Sequence, residues 1–203
     1  MLTLIHDTET NGLPPRDTKT PKLSQMPYIT QLSAVLVDDV SREEVKTLNV
    51  YISDANIIIP DEAFFRDQGI TTEWLRENGI PYVDAYDQMY ELVKESTRMV
   101  CHNTVFDYNM NKAAFIRNKI RKEIQEAFTN NPRYCTMATL TDVLRIPSPY
   151  GYKWPTLMEC YREFVDPRGF EGAHDALADC RALMKLVWAI EDRGFQLMRH
   201  FND

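Results

Sequence analysis

Two acids, Asp7 and Glu9, follow an apolar run in the N-terminal stretch LTLIHDTETNGLPP. Residues two apart on a β-strand point to the same face, so we expect the two carboxylates to lie side by side at the end of a strand. Like charges at this distance resist joint ionisation unless a cation lies between them, commonly a hard divalent ion. The alternative is a strand end followed by an Asn11-Gly12 turn, with both acids solvated.

A third acid, Asp107, lies in the stretch VCHNTVFDYNM. Strand-forming residues end at His102, and Asn103 or Thr104 can cap the helix that follows. Asp107 then falls in the first turn of that helix, where a negative charge is favourable to the helix dipole. Taken alone, Asp107 is equally well explained as a helix-start acid or as a functional carboxylate.

His174 and Asp179 stand five residues apart in the stretch GAHDALADCRAL. On one continuous helix they would point about 140° apart and could not share a face. If Asp175 caps the helix instead, His174 lies on the preceding loop and Asp179 lies one turn in. Both side chains can then approach one pocket, as an acid/base histidine beside a fixed carboxylate.

These residues need strands that end together and helices that begin beside them. The pattern predicts three successive strands over 3–7, 28–39 and 45–53, followed by short strands over 98–103 and near 134–135. It predicts helices over 61–68, 71–78, 84–95, 104–122, from about 136 to 144, 155–164 and 175–193. This order is typical of an α/β sheet with helices packed on it.

Composition favours one compact domain over residues 1–203, since 203 residues with 44% hydrophobic content suit a single core. No apolar run approaches the roughly 18 residues of a membrane span and the N-terminus has no signal-peptide pattern, so we expect a cytoplasmic protein without a membrane partner.

The net charge of −7 argues mildly against a polyanion-binding surface. Carboxylates that hold metal ions would account for part of that charge. The chain has four cysteines, Cys101, Cys135, Cys160 and Cys180. None of them forms a C-x-x-C pair, which argues against a zinc or redox site.

Taken together, the three stretches resemble the three motifs of the DEDDh 3′-to-5′ exonucleases. That superfamily includes the bacterial proofreading subunit, exonuclease I, ribonuclease T, oligoribonuclease and the three-prime repair exonucleases. The resemblance covers nearly the whole chain, since GITTEWL is similar to the segment between the first two motifs. The matching motifs, in order, are Asp7-Thr8-Glu9, His102-Asn103-x-x-Phe106-Asp107 and His174-x-Ala176-x-x-Asp179.

The resemblance implies a ribonuclease H-like fold, a mixed five-stranded sheet with an antiparallel second strand, flanked by helices. It also implies two divalent cations, Mg²⁺ or Mn²⁺, and release of nucleoside 5′-monophosphates. Asp7, Glu9 and Asp179 would bind the first metal, Asp7 would bridge to the second, and Asp107 would support the second. His174 would be the general base, which suits an imidazole because it titrates near neutral pH.

The resemblance further implies contacts with the 3′-terminal nucleotide. Thr10, Gly12 and Leu13 would hold it, with Leu13 wedged against the last base. Asn103 and Phe106 match positions that contact the terminal sugar and base. For Leu13 and Phe106 the alternative is core packing, because apolar residues are usually buried.

Two groups of basic residues are candidates for contacting upstream phosphates. One is the run RNKIRK over 117–122, predicted on the same helix as Asp107. The other comprises Arg16, Lys19 and Lys22 on the long loop over 13–27. The alternative for both is a solvated charged surface.

The leading hypothesis is a metal-dependent exonuclease acting on 3′ ends of single-stranded DNA. The first alternative is the same reaction on short RNA, and the second is a proofreading subunit of a DNA polymerase. A non-catalytic binding module is disfavoured, because such a module has no need of all five motif residues. The sequence specifies neither a protein partner nor a homodimer.

Overall fold

The computed structural model describes residues 1–15 and 21–200, apart from the side chain of Phe64. The strands are β1 (Leu2–Thr10), β2 (Ile29–Asp38), β3 (Glu44–Tyr51), β4 (Arg98–Cys101), β5 (Arg133–Cys135), β6 (Pro147–Ser148), β7 (Gly151–Tyr152) and β8 (Met198–His200). The helices are α1 (Ala63–Asp67), α2 (Thr72–Asn78), α3 (Tyr82–Glu95), α4 (Thr104–Asn118), α5 (Lys122–Asn130), α6 (Thr136–Leu144), α7 (Leu157–Phe164) and α8 (Ala176–Asp192). The short loop helix Leu23–Gln25 is a 3₁₀ turn.

The main sheet has the strand order β3-β2-β1-β4-β5-β8. β1 pairs antiparallel with β2 and parallel with β4, β2 pairs antiparallel with β3, β4 pairs parallel with β5, and β5 pairs antiparallel with β8. β6 and β7 form a separate two-stranded hairpin. The predicted fold class, a mixed α/β sheet flanked by helices, is confirmed.

Helices cover both faces of the sheet, which explains why β2 is buried along nearly its whole length. Leu4 belongs to a buried cluster that includes residues of α3 and α4, such as Met89 and Met110. Its neighbour Ile5 points to the other face and belongs to a cluster that includes Leu183 and Leu186 of α8. Successive residues of β1 therefore contact opposite helical layers.

The single long helix predicted over 104–122 is wrong. α4 ends at Asn118, and Lys119 adopts a left-handed conformation with φ 49°. The chain then turns and continues as α5, which was not predicted. This break allows Ile120, Ile124 and Phe128 to enter the core, and packing of these side chains outweighs the continuous helical pattern.

The sheet has six strands where five were expected. The added strand, β8, has three residues and pairs with the edge of β5. A strand this short carries no readable alternation, so only the tertiary structure reveals it. The same reason explains why the hairpin β6–β7 was not predicted. β1 also continues to Thr10 instead of ending at Asp7.

None of the helices in the described part of the chain is both long enough and apolar enough to cross a membrane.

Candidate active site

β1 carries the first two acids of the site. Asp7 and Glu9 lie opposite Ser33 and Gln31 of β2, in continuous antiparallel register. The register shifts immediately after Glu9, which marks the end of regular pairing. Both acids are partly buried and share the face of β1 that α8 covers.

α4 brings Asp107 from the opposite face of the sheet. The Asn103 side chain caps this helix by accepting a hydrogen bond from the Phe106 N–H. Asp107 lies in the first turn and is fully buried. The Thr8 hydroxyl donates to Asp107 Oδ1 at 2.8 Å, so the residue between Asp7 and Glu9 holds the third carboxylate at the end of the same strand.

The loop before α8 and the first turn of α8 supply His174 and Asp179. Asp175 is the N-cap, since its Oδ1 accepts from the Ala178 N–H at 2.9 Å. His174 has a left-handed backbone with φ 70°, and its N–H donates to Asp179 Oδ2 at 3.3 Å. As predicted from the spacing, His174 therefore lies outside the helix and Asp179 inside it. Glu9, His174 and Asp179 each offer a ligand atom within 4.8 Å of the others.

A buried polar network fixes α8 against the sheet. Gln31, opposite Glu9 in the sheet, donates through Nε2 to Asp175 Oδ2 at 3.0 Å and to Asn49 Oδ1 at 2.9 Å. Its Oε1 accepts from the Ala176 N–H at 3.2 Å. Gln31 thus joins β2 and β3 to the start of α8, and the sequence contained no pattern that identified it.

Burial raises the pKa of each carboxyl in this group, and neighbouring acids add to the shift for Asp7, Glu9 and Asp179. The pKa of Asp7 is raised well above its ordinary value, first by burial and then by the negative charge of Asp107 and Glu9. Burial and the Asp179 carboxylate raise the pKa of Glu9 to about 8. Burial raises the pKa of Asp107 to about 7, although hydrogen bonds from Thr8 oppose the shift. Burial raises the pKa of Asp179 to about 6.

The residues present fit a divalent cation. The buried Oδ1 of Asp179 has no hydrogen-bond partner among the described residues, so a good acceptor points into the site without a donor. A cation among these converging carboxylates would favour their ionised forms and so reverse the rise in their pKa values. Carboxylate oxygens are the ligands that Mg²⁺ and Mn²⁺ prefer.

The two motif histidines differ in their surroundings. His102 is braced between Thr136 and Pro155: its Nε2 lies 2.9 Å from the Pro155 carbonyl oxygen and its Nδ1 lies 3.0 Å from Thr136 Oγ1. Burial lowers the pKa of His102 to about 4, so this imidazole is neutral at pH 7 and carries its proton on Nε2. His174 is exposed to the cleft.

One cleft of about 630 Å³ brings together every site residue that the sequence predicted. Leu13 is 67% exposed, so the core-packing alternative is wrong for it. Phe106 is partly buried, packs against the core and also lines the cleft. The predicted residues along this cleft are Asp7, Glu9, Thr10, Gly12, Leu13, Asn103, Phe106, Asp107, His174 and Asp179.

The cleft is also lined by side chains that were not predicted from the sequence. Phe65 and Glu62 come from α1 and the residue before it, Met137 from α6, and Trp154 from the segment after β7. Thr8 lies inside the first motif, so its position between two acids was the available signal. For Trp154 the only available signal was the cluster of aromatic residues around it in the sequence.

The predicted basic run over 117–122 is largely committed to contacts within the chain. The Arg117 guanidinium donates to the Pro27 carbonyl oxygen at 2.7 Å and stacks over Tyr28. Arg121 pairs with Asp87 at 2.9 Å, and Lys122 pairs with Glu126 at 3.1 Å. The solvated-surface alternative is therefore favoured for this run. Lys22 is exposed, and Arg16 and Lys19 lie outside the described residues.

Comparisons with known proteins identify the family of the chain and agree with its fold. The family model described as RNase_T, exonuclease, matches residues 4–187. The nuclease domain of 3′hExo, described as a DEDDh family member bound to rAMP, superposes with a TM-score of 0.75 at 11% identity, covering 100% of this chain and 97% of that one. No curated protein matches the chain by sequence.

Exonuclease I structures are also similar. The enzyme from Methylocaldum szegediense has a TM-score of 0.69 at 20% identity, covering 95% of this chain and 40% of that one. Exonuclease I from E. coli, in complex with a dT13 oligonucleotide, has a TM-score of 0.69 at 19% identity, covering 95% of this chain and 41% of that one. The present chain thus spans about two fifths of the length of the exonuclease I proteins that it resembles.

Proposed function

The chain belongs to the RNase_T exonuclease family, and we propose that it is a DEDDh-type enzyme that removes nucleotides from the 3′ end of single-stranded DNA and releases nucleoside 5′-monophosphates. The observation that carries the proposal is the convergence of four carboxylates and one exposed histidine in a single cleft. That set comes from β1, α4 and α8, which meet at the same end of the sheet.

Two divalent cations, Mg²⁺ or Mn²⁺, are proposed as cofactors. Glu9 and Asp179 would hold one cation, Asp7 would bridge both, and Asp107 would support the other. Cations held there would lower the pKa of the attacking water and offset the negative charge of the phosphodiester. The raised pKa values of Glu9 and Asp179 support this assignment, because a cation would favour the ionised form of each.

His174 is proposed as the general base that takes the proton of the attacking water. His174 has a left-handed backbone conformation in the loop before α8, and its ring lines the cleft. Its backbone N–H donates to Asp179. His102 is a poor candidate for this role, because both of its ring nitrogens have partners and its pKa is lowered.

The terminal nucleotide is proposed to lie between the segment after Glu9 and the start of α4. Exposed Leu13 would separate the last base from its neighbour, and Phe106 would stack on it. The Asn103 side chain and the backbone around Thr10 and Gly12 would hold the sugar. A ring face accepts any base, which suits an enzyme that removes successive nucleotides without reading sequence.

A gel assay tests the proposed function. A 5′-labelled 20-nucleotide DNA strand is incubated with the protein and Mg²⁺ or Mn²⁺, beside a lane containing chelator. We expect a ladder that shortens one nucleotide at a time and depends on metal. Asp7→Asn is the matched negative control, since it keeps the side-chain size and removes the bridging charge. Intact DNA in the metal lanes would contradict the proposal for DNA.

Short RNA is the second candidate substrate. One neighbouring structure was solved bound to rAMP, which is the observation in favour. A 5′-labelled RNA of the same sequence distinguishes the two. If the RNA is shortened at least tenfold faster than the DNA, RNA is the substrate and the assignment of DNA is wrong. A proofreading role would appear as a preference for mismatched over matched primer ends. A single exonuclease domain over 1–203 and a cytoplasmic location remain predictions.

A further inference from the structure

An aromatic hairpin adjoins the cleft and has no role in the reaction described so far. β6 and β7 form its two short arms, with Pro149 and Tyr150 at the turn. The Lys153 N–H donates to the Ile146 carbonyl oxygen at 2.9 Å, and the Ser148 hydroxyl donates to the Gly151 carbonyl oxygen at 3.0 Å. These bonds give the hairpin a defined shape at the surface.

Three aromatic side chains of this segment face solvent. Tyr150 is 100% exposed, Trp154 is 70% exposed and Tyr152 is 48% exposed. Tyr150 lies in the turn, Tyr152 ends β7 and Trp154 follows two residues later. A cluster of exposed rings is unusual, because aromatic residues normally bury much of their surface and larger exposed apolar patches mark binding sites.

The hairpin is continuous with the catalytic cleft. Trp154 lines both this cleft and an adjoining cavity of about 340 Å³. The next residue, Pro155, accepts the hydrogen bond from His102 at 2.9 Å, so a motif residue anchors the base of the hairpin. Phe106 also lines both cavities, which places Trp154 at the boundary between the terminal-nucleotide region and the hairpin.

We propose that Tyr150, Tyr152 and Trp154 form a stacking surface for the bases immediately upstream of the 3′-terminal nucleotide in a single strand. The inference rests on the proposed function and deepens it by specifying the conformation of the substrate. Only an unpaired strand exposes successive base faces to such rings. The surface therefore favours a single strand several nucleotides long over a dinucleotide or a blunt duplex.

The charges around the hairpin favour stacking as the main contribution to affinity. Of the two basic side chains next to the hairpin in the sequence, Lys153 pairs with Glu159 at 2.7 Å and Arg145 donates to the Asp142 carbonyl oxygen at 3.0 Å. Few phosphate contacts predict a shallow dependence of affinity on salt concentration. Because Trp154 lines the catalytic cleft, a substrate strand that leaves the cleft would pass over this surface. This favours the strand over a protein as the occupant of the surface.

The test measures binding by fluorescence anisotropy, using labelled thymidine oligonucleotides of 2 and 12 nucleotides in Ca²⁺. We expect the double variant Tyr150→Ala/Tyr152→Ala to weaken binding of the 12-mer on the order of tenfold or more, with less than a threefold change for the 2-mer. Val40→Ala is the matched control, because Val40 is 86% exposed and lies in the turn between β2 and β3. It should bind both strands as the wild type does.

A spectroscopic measurement gives an independent readout. A base stacked on Trp154 quenches its fluorescence, so the 12-mer should quench the wild type and lose this effect in Trp154→Phe. Trp74 and Trp188 remain in that variant as internal references. Circular dichroism and the Tm confirm that each variant is folded.

The outcomes separate this inference from the proposed function. If the wild type degrades DNA and the double variant binds the 12-mer unchanged, the stacking surface is wrong and the exonuclease assignment stands. If the wild type binds the 12-mer but hydrolyses neither DNA nor RNA, and the double variant loses binding, the surface stands and the proposed function is wrong. Unchanged tryptophan fluorescence on binding would also overturn the role of Trp154.

Discussion

At the scale of single residues, the site depends on side chains with unequal surroundings despite similar chemistry. The acids on β1, α4 and α8 all line the cleft with raised pKa values, but Asp107 is fully buried and is held by the Thr8 hydroxyl. The two motif histidines differ in the same way: His102 is braced on both nitrogens, and His174 is exposed. Of the two motif histidines, His174 is therefore the one that we propose as the base for the attacking water.

Replacing His174 tests this difference. We expect His174→Ala to lower kcat by about 10²- to 10⁴-fold with little change in KM, because proton transfer is lost while substrate contacts remain. The measurement is steady-state hydrolysis of a DNA oligonucleotide, from which kcat and KM of the variant and the wild type are compared. Glu171→Gln, in the same loop, is the control and should behave as wild type. An equal loss in kcat and in substrate affinity would contradict the base role.

At the scale of elements, the site requires β1, α4 and α8 to meet at one end of the sheet. β1 contacts α4 and α8 on opposite faces, so neither helix can orient its acid without the strand. Gln31 adds a direct link, since its amide joins β2 to the first turn of α8. We infer that this buried amide holds Asp179 and His174 against Glu9.

Replacing Gln31 by Met tests the link while keeping the side-chain length. Loss of the amide leaves buried polar partners unsatisfied, which costs about 1–3 kcal/mol of folding stability. We expect kcat to fall about tenfold or more, and the metal concentration for half-maximal activity to rise, because α8 is no longer fixed. KM should change less than kcat. Gln68→Met at the exposed end of α1 is the control. A lower Tm with unchanged kcat and metal dependence would show that Gln31 acts on stability alone.

At the scale of the whole molecule, crowded carboxyls at one end of the sheet oppose folding once they ionise. Their pKa values in the folded protein, about 6 for Asp179, about 7 for Asp107 and about 8 for Glu9, exceed the values near 4 of unfolded chains. Between these limits the folded state binds more protons than the unfolded state. The free energy of unfolding therefore falls as the pH rises from about 4 to about 8.

This linkage predicts how pH and metal act on the Tm. In chelator, we expect the Tm to fall by several degrees between pH 5 and pH 8, and Mn²⁺ or Mg²⁺ to raise it more at pH 8 than at pH 5. Differential scanning fluorimetry with and without metal is the measurement. Asp7→Asn should flatten the pH dependence in chelator, because it removes one charge from the group. A Tm in chelator that is constant from pH 5 to pH 8 would contradict the linkage.

The sequence by itself predicted the residues that line the cleft and the class of the fold. The i, i+2 acids, the cap at Asn103 and the loop position of His174 follow from short-range geometry, so they were predictable from local patterns. The three successive strands at the start were also predictable, because their apolar runs are long.

The tertiary structure decided the contacts between residues distant in the chain. The link from Gln31 to α8 joins positions 144 residues apart, and the bond from Thr8 to Asp107 joins positions 99 apart. The strand β8, the break at Lys119 and the contacts of Arg117 and Arg121 depend on packing with distant partners. No local pattern encodes these features, because each is stabilised by contacts that exist only after the sheet and its two helical layers have assembled.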